Sequence, residues 1–178
     1  MRVISVDPAV RSTGVFIRTP EERRAYRIQS KPKVDGNHAL ANLHMKLYKL
    51  CVRHYPFDLG LVEAYPIGAK FQQGSMELGA AYGIVRAVMA AFDIPIVAIH
   101  PSTWQSLTTG RMPKGNKAKT AAYVGEVERR YRVRFETTDC ADAYLIWRAA
   151  RQLIDSPGRT EAQEKLRSEL LAALDKND

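Results

Sequence analysis

The sequence predicts an α/β protein on a mixed five-stranded sheet: an antiparallel meander, then parallel strands, flanked by helices. Two observations lead there. Three short apolar runs open the chain with short loops between them, which implies an antiparallel meander. Strand and helix signals then alternate, the pattern of parallel strands with covering helices. A third observation excludes the doubly wound nucleotide fold, which needs a Gly-rich turn after its first strand. Asp7-Pro8-Ala9-Val10-Arg11 is no such turn.

Residues 2–7 are apolar and β-branched and end in Asp7-Pro8, a strand followed by a break. Residues 13–17 and 24–29 read as the second and third strands. Leu40, Leu43, Leu47, Leu50 and Cys51 recur at helical spacing over 38–54. Leu59 to Glu63 is a short strand ending in an acid, and 75–92 is a long helix rich in small residues, among them Gly79, Ala80, Gly83, Ala87 and Ala90. Residues 94–99 form the fifth strand, with Pro95 near its start, where it is tolerated. A short helix begins at Pro101, a Gly/Lys-rich loop spans 110–117, and helices follow over 119–131 and 139–154. Ser156-Pro157-Gly158 breaks the chain before a tail helix at 161–174, whose packing against the body the sequence leaves open.

The chain has 178 residues, 27 basic and 19 acidic, for a net charge of +8. Its length suits one domain. The basic balance favours a polyanionic partner, nucleic acid first, with Arg111, Lys114, Lys117 and Lys119 in one stretch and Arg129, Arg130, Arg132 and Arg134 soon after. No apolar run reaches the length of a membrane span. The opening residues carry no secretory pattern, which predicts a cytoplasmic protein. Cys51 and Cys140 lack metal-type spacing and read as buried free thiols. The four histidines form no zinc-type pair.

Four acids carry the chemistry. Asp139 and Asp142 lie three apart at a helix start, behind a Thr able to cap it, so both carboxylates share one face. That face continues as Ile146, Ala149 and Leu153, which are core residues. Alone, such a pair is a helix N-terminus favoured by its dipole. Asp7 and Glu63, however, each end an apolar strand, and sites of open α/β sheets lie beyond such ends. With the first and fourth strands as parallel neighbours, all four carboxylates converge. Four clustered carboxylates repel unless divalent cations sit among them. Oxygen-only ligation suits Mg²⁺ or Mn²⁺. Two such ions, about 3.5–4 Å apart, in basic surroundings suit phosphodiester chemistry.

The pattern Val6-Asp7-Pro8…Thr13-Gly14, then Val62-Glu63 before the small-residue helix, then Asp139-Cys140-Ala141-Asp142-Ala143, resembles the RuvC family of Holliday-junction resolvases. The resemblance spans about residues 2–150. It divides the chain into a RuvC-like nuclease domain, 1–155, and a C-terminal tail, 156–178, with a short amphipathic helix. It implies the RNase H-like fold and a Mg²⁺-dependent crossover junction endodeoxyribonuclease leaving 5′-phosphates. It implies paired symmetric nicks in four-way DNA by a homodimer formed through the helix near 73–91. Asp7, Glu63, Asp139 and Asp142 are then the catalytic and metal-binding carboxylates, Asp7 bridging two ions. Lys119, with Lys117 beside it, faces the scissile phosphate, although cations oppose the dipole at a helix start. The chain departs from the family at Pro66, where a Phe often stands three residues after the Glu, and in the glycine spacing of 110–116.

Tyr65 and Phe71 are candidates to stack on an exposed base or to be core. Arg11 and Ser12, following Asp7, are candidate phosphate contacts, as are Lys114 and Arg111. Trp104 and Trp147 read as packing residues. Two alternatives stand beside the resolvase: a nuclease of the same fold cutting forks, flaps or other branched DNA, and a non-catalytic DNA-binding module.

Overall fold

The computed structural model describes residues 1–31, 35–65, 73–109 and 117–177, with 73–75, 117–122 and 177 described by backbone alone. In chain order the elements are β1 (Val3–Asp7), β2 (Ser12–Arg18), β3 (Arg23–Gln29), α1 (Gly36–His54), β4 (Leu59–Glu63) and α2 (Gln73–Ala90). They continue as β5 (Ile96–Ile99), α3 (Pro101–Thr108), α4 (Lys117–Tyr131), α5 (Thr138–Asp155) and α6 (Glu161–Leu174). Boundaries differ from the sequence reading where a backbone group finds a partner or lacks one. α1 starts at Gly36 because the Asp35 carboxylate accepts from His38 N at 3.0 Å, a cap ahead of the apolar pattern. β5 starts only at Ile96, past Pro95, which has no N–H for the ladder.

The sheet order is β3-β2-β1-β4-β5. β1, β2 and β3 pair antiparallel, whereas β4 runs parallel to β1 and to β5. The expected mixed sheet is the observed one. Side chains alternate across it and build two cores. Ile4, Val6, Val15, Ile17 and Val62 face α1 and α2. Val3, Phe16, Leu59, Leu61 and Ile99 face α5, which lies centrally on the other side. The predicted stripe of α5, Ile146, Ala149 and Leu153, is fully buried there.

Two contacts fix α5 on the sheet. Ser5 Oγ, buried at the centre of β1, donates to Ala143 O at 2.7 Å. Gly14 faces the first turn of α5, and a Cβ there would stand 1.8 Å from Asp139 O. Only a glycine allows this approach, so the helix start is pressed against the end of the β1–β2 pair. Thr137 caps the helix, its side chain accepting from Cys140 N.

The tail helix α6 packs on the body. Thr160 caps it, Gln163, Leu166, Leu170 and Ala173 are buried, and the three apolar ones join the α5-side core. Arg167 Nε donates to Leu153 O at 3.1 Å, tying α6 to α5. Cys51 and Cys140 are buried free thiols, as expected. Among the described residues no helix is long and apolar enough to cross a membrane.

Candidate active site

Strand alternation puts Val3, Ser5 and Asp7 on the α5 side of β1, and Leu59, Leu61 and Glu63 on the same side of β4. The register pairs Val6 with Val62, so Asp7 and Glu63 are the next residues along two adjacent parallel strands, about 4.8 Å apart at the backbone. α5 brings Asp139 and Asp142 over that edge. Sequence positions separated by more than 130 residues thus meet at one end of the sheet.

Their electrostatics record the meeting. Burial pushes the Asp7 carboxyl well above the usual carboxylate range, and the charges of Glu63, Asp142 and Asp139 push it further. Burial, then Glu63 and Asp139, raise Asp142 to about 7, although a hydrogen bond from Tyr123 opposes the rise. Burial also raises Glu63 against the opposing bond from Trp104. A raised carboxyl pKa means the ionised form lacks compensation. The protein supplies part of a cation's role and leaves the rest open.

The part supplied comes from three donors. Trp104 Nε1, on α3, donates to Glu63 Oε2 at 2.9 Å. The Tyr123 hydroxyl, on α4, donates to Asp142 Oδ1, and Ser12 Oγ, at the start of β2, donates to Asp139 Oδ2. Arg27 Nε on β3 donates in turn to Ser12 Oγ at 2.9 Å, bringing a guanidinium to the rim. Burial and the charge of Asp142 hold the Tyr123 phenol far above its ordinary value, so it remains a donor.

The four acids share one electrostatic neighbourhood, but they do not close on a single point: among the described residues no three His, Cys, Asp or Glu side chains are arranged to hold a metal ion. Ser12, Trp104 and Tyr123 each hold one oxygen of Asp139, Glu63 and Asp142, respectively. The second oxygen of each has no donor among the described residues, and neither has Asp7. This all-oxygen, partly compensated set fits in its donor chemistry a hard divalent cation such as Mg²⁺ or Mn²⁺.

The remaining predicted residues divide. Ser12 is at the site, engaged with Asp139 and Arg27 rather than standing clear of them. Tyr65 is half-buried and packs on Tyr82 with ring centroids 6.4 Å apart. Arg11 is exposed beside Glu77 and Leu78, along a cavity of about 340 Å³. Lys117 and Lys119 begin α4, but their side chains lie outside the described residues, as do Arg111, Lys114, Phe71, Pro66 and the 110–116 loop. Trp147 is the packing residue expected, against Phe16 and Tyr144. Trp104 is more than that. The sequence reading missed Trp104, Tyr123 and Arg27 as site residues. The one available signal was that a buried indole N–H requires an acceptor.

The meander-then-parallel sheet, the flanking helices and the strand-end acids define an RNase H-like α/β protein. No family model matches the chain, and no curated protein matches it in sequence. Solved structures do match in shape. The chain aligns with T. thermophilus RuvC in complex with Holliday junction substrate at TM-score 0.63 and 16% identity, over 85% of this chain and 93% of that one. A Thermus thermophilus RuvC structure aligns at TM-score 0.61 with the same identity and coverage. The yeast mitochondrial Holliday junction resolvase Ydc2 aligns at TM-score 0.49 and 13% identity, over 98% of this chain and 82% of that one. The fold is therefore that of RuvC.

Proposed function

We propose that this chain is a divalent-metal-dependent, structure-selective DNA endonuclease that resolves Holliday junctions by paired symmetric nicks. The carrying observation is the set of four carboxylates, Asp7, Glu63, Asp139 and Asp142, gathered at the end of an RNase H-like sheet with at most one donor each among the described residues. The fold shared with a RuvC bound to Holliday junction substrate supports branched DNA as the ligand, and the net charge of +8 agrees with it.

In this reading the four carboxylates hold two Mg²⁺ or Mn²⁺ ions. When bound, such ions activate a water for in-line attack and stabilise the leaving oxygen, giving a 5′-phosphate and a 3′-hydroxyl. Trp104, Tyr123 and Ser12 orient the carboxylates, each fixing one oxygen and presenting the other. Lys119, with Lys117 beside it, balances the charge of the transition state. Arg111 and Lys114 contact the backbone, as does Arg11. Ser12, by contrast, positions Asp139. A homodimer through α2 is supported by the helix's outer face, where Met76, Ala80, Gly83, Ala87 and Ala90 are exposed and nothing lies within 4 Å of a Cβ placed on Gly83.

The test is a panel of end-labelled four-way junctions, forks, flaps and duplexes, incubated with Mg²⁺ or with EDTA. Two symmetric nicks on opposed junction strands, in Mg²⁺ only, are expected. One observation favours a broader nuclease: Tyr65, beside the position where the family often carries a base-reading Phe, packs against Tyr82. Equal cleavage of forks and flaps would establish that reading. Binding without cleavage of any substrate would leave a non-catalytic module.

A further inference from the structure

The far end of α5 carries a second cluster of like charges, unrelated to the carboxylates. A cavity of about 310 Å³ opens there, lined by Met1, Arg18, Arg23, Trp147, Arg148, Arg151 and Asp155. Its volume is near the small end of the ~300–1,000 Å³ range of ligand sites. Four guanidiniums meet one carboxylate, and Asp155 is already taken by Arg151 Nε at 2.7 Å. Among the described residues no acid pairs with Arg18, Arg23 or Arg148.

This arrangement costs stability. Arg18 and Arg23 are directly opposite each other in the antiparallel β2–β3 register, a cross-strand like-charge pair that is unfavourable by itself. Arg148 is held in place from behind, its guanidinium 5.2 Å from the Tyr131 ring and 5.7 Å from the Trp147 ring. Trp147 contributes a buried indole N–H with no hydrogen-bond partner. Three guanidiniums without an acid partner among the described residues, around one cavity, are the complement of an anion.

The surface between the two ends of α5 is also basic. Arg23 and Arg27 lie on one face of the edge strand β3, the face carrying Ala25, which packs towards α5. Arg27 touches Ser12 at the carboxylate site, while Arg23 lines the distal cavity. From Ser12 to Arg18 the strand covers about 20 Å, which is about six nucleotides of one DNA strand.

We infer that this cavity seats a backbone phosphate of a nucleic-acid strand whose other end, about six nucleotides away, lies at the carboxylates. The chemistry is arginine recognition of a phosphodiester, with Arg18, Arg23 and Arg148 as its donors. The inference rests on the proposed reading that the chain binds DNA.

The two tryptophans make the test separable. The indole N–H of Trp104 is bonded to Glu63 and reports on the carboxylate end; the Trp147 indole, whose ring lines the cavity with the Arg148 guanidinium 5.7 Å away, reports on the other. A ¹⁵N-labelled protein is titrated in EDTA with a long-armed four-way junction and, separately, with inorganic phosphate, W147F assigning the second signal. A saturable shift of the Trp147 signal with the junction is expected, lost in R23Q/R148Q while the Trp104 shift persists. The fall in junction affinity between about 50 and 200 mM salt should also shrink about threefold for each phosphate contact the variant loses. A Trp147 signal that stays fixed while the junction binds, or an unchanged salt dependence in R23Q/R148Q, would overturn the inference. A shift with inorganic phosphate but none with the junction overturns the assignment to a strand. Movement of Trp147 without Trp104 upholds this site, and the carboxylate reading is then judged separately by Mg²⁺-dependent cleavage.

Discussion

The two ends of α5 are opposite solutions to the same problem. At its start, Asp139 and Asp142 join Asp7 and Glu63 in a half-buried cluster that the protein compensates only in part, with three hydrogen-bond donors. At its far end, Arg148 and Arg151 join Arg18 and Arg23 around an open cavity with one committed carboxylate. Only the first agrees with the helix dipole: Asp139 stands in the first turn, whereas the last turn carries no cation and ends in Asp155. The two ends also differ in solvent. Burial makes the acids' unbalanced charge expensive, so it appears as raised affinity for protons. Water screens the arginines, and their imbalance appears only as unpaired geometry. A buried like-charge cluster therefore calls for a tightly held counter-ion, and an open one for a weakly held, exchangeable ligand.

The sharpest way to break this comparison is at the buried end. Glu63→Gln or Asp142→Asn should reduce junction cleavage to background in a gel assay, with junction binding intact or tightened as negative charge leaves the DNA surface. A variant still cleaving at a tenth of the wild-type rate would remove that acid from the catalytic set. Gly14→Ala should come next. Its Cβ collides with Asp139 O, so α5 must shift, with about 1–3 kcal/mol of stability lost in denaturant unfolding and cleavage lost too. An active, fully stable Gly14→Ala protein would show that the helix start is not held as described.

Smaller effects follow at the three donors. Trp104→Phe keeps the ring and removes the N–H, and Tyr123→Phe does the same for the hydroxyl. Each should raise the Mg²⁺ concentration for half-maximal cleavage by about 10–100-fold, the usual effect of losing a partner that orients a ligand. Wild-type half-saturation by Mg²⁺ in either variant would reduce these bonds to packing. The smallest effect is on pH. Asp7, Glu63 and Asp142 all have raised folded-state pKa values, so their stabilisation is present below the unfolded carboxylate pKa and lost as pH rises, through about 7 for Asp142. Metal-free protein should thus lose thermal stability from about pH 4 to above pH 7, and Asp142→Asn should flatten that slope. Stability that climbs with pH over this window would reverse the sign.

Much of the acidic end was legible in the sequence because each acid terminates a local pattern. Asp7 and Glu63 close apolar runs of period two, and Asp139 and Asp142 stand at the head of a helical stripe. What holds those acids was not legible. Trp104 lies 41 residues from Glu63, and Ser12 lies 127 from Asp139; no local periodicity links such pairs. Trp104 was read as packing because its neighbours are apolar, which is true of its ring and not of its N–H. Gly14 belonged to the recognised pattern, yet its need for closeness to Asp139 O emerges only in three dimensions. The basic end escaped because its arginines come from two strands and a helix, each unremarkable alone, whereas the contiguous runs at 111–119 and 129–134 drew attention through adjacency.

In the proposed reading the half-buried acids form a metal-dependent phosphodiester site. Mapping nicks on a four-way junction with the wild type and with Asp7→Asn, each in Mg²⁺, tests it most directly. The account predicts two symmetric nicks from the wild type and none from Asp7→Asn, which still binds the junction. Cleavage by Asp7→Asn at the same positions would contradict it.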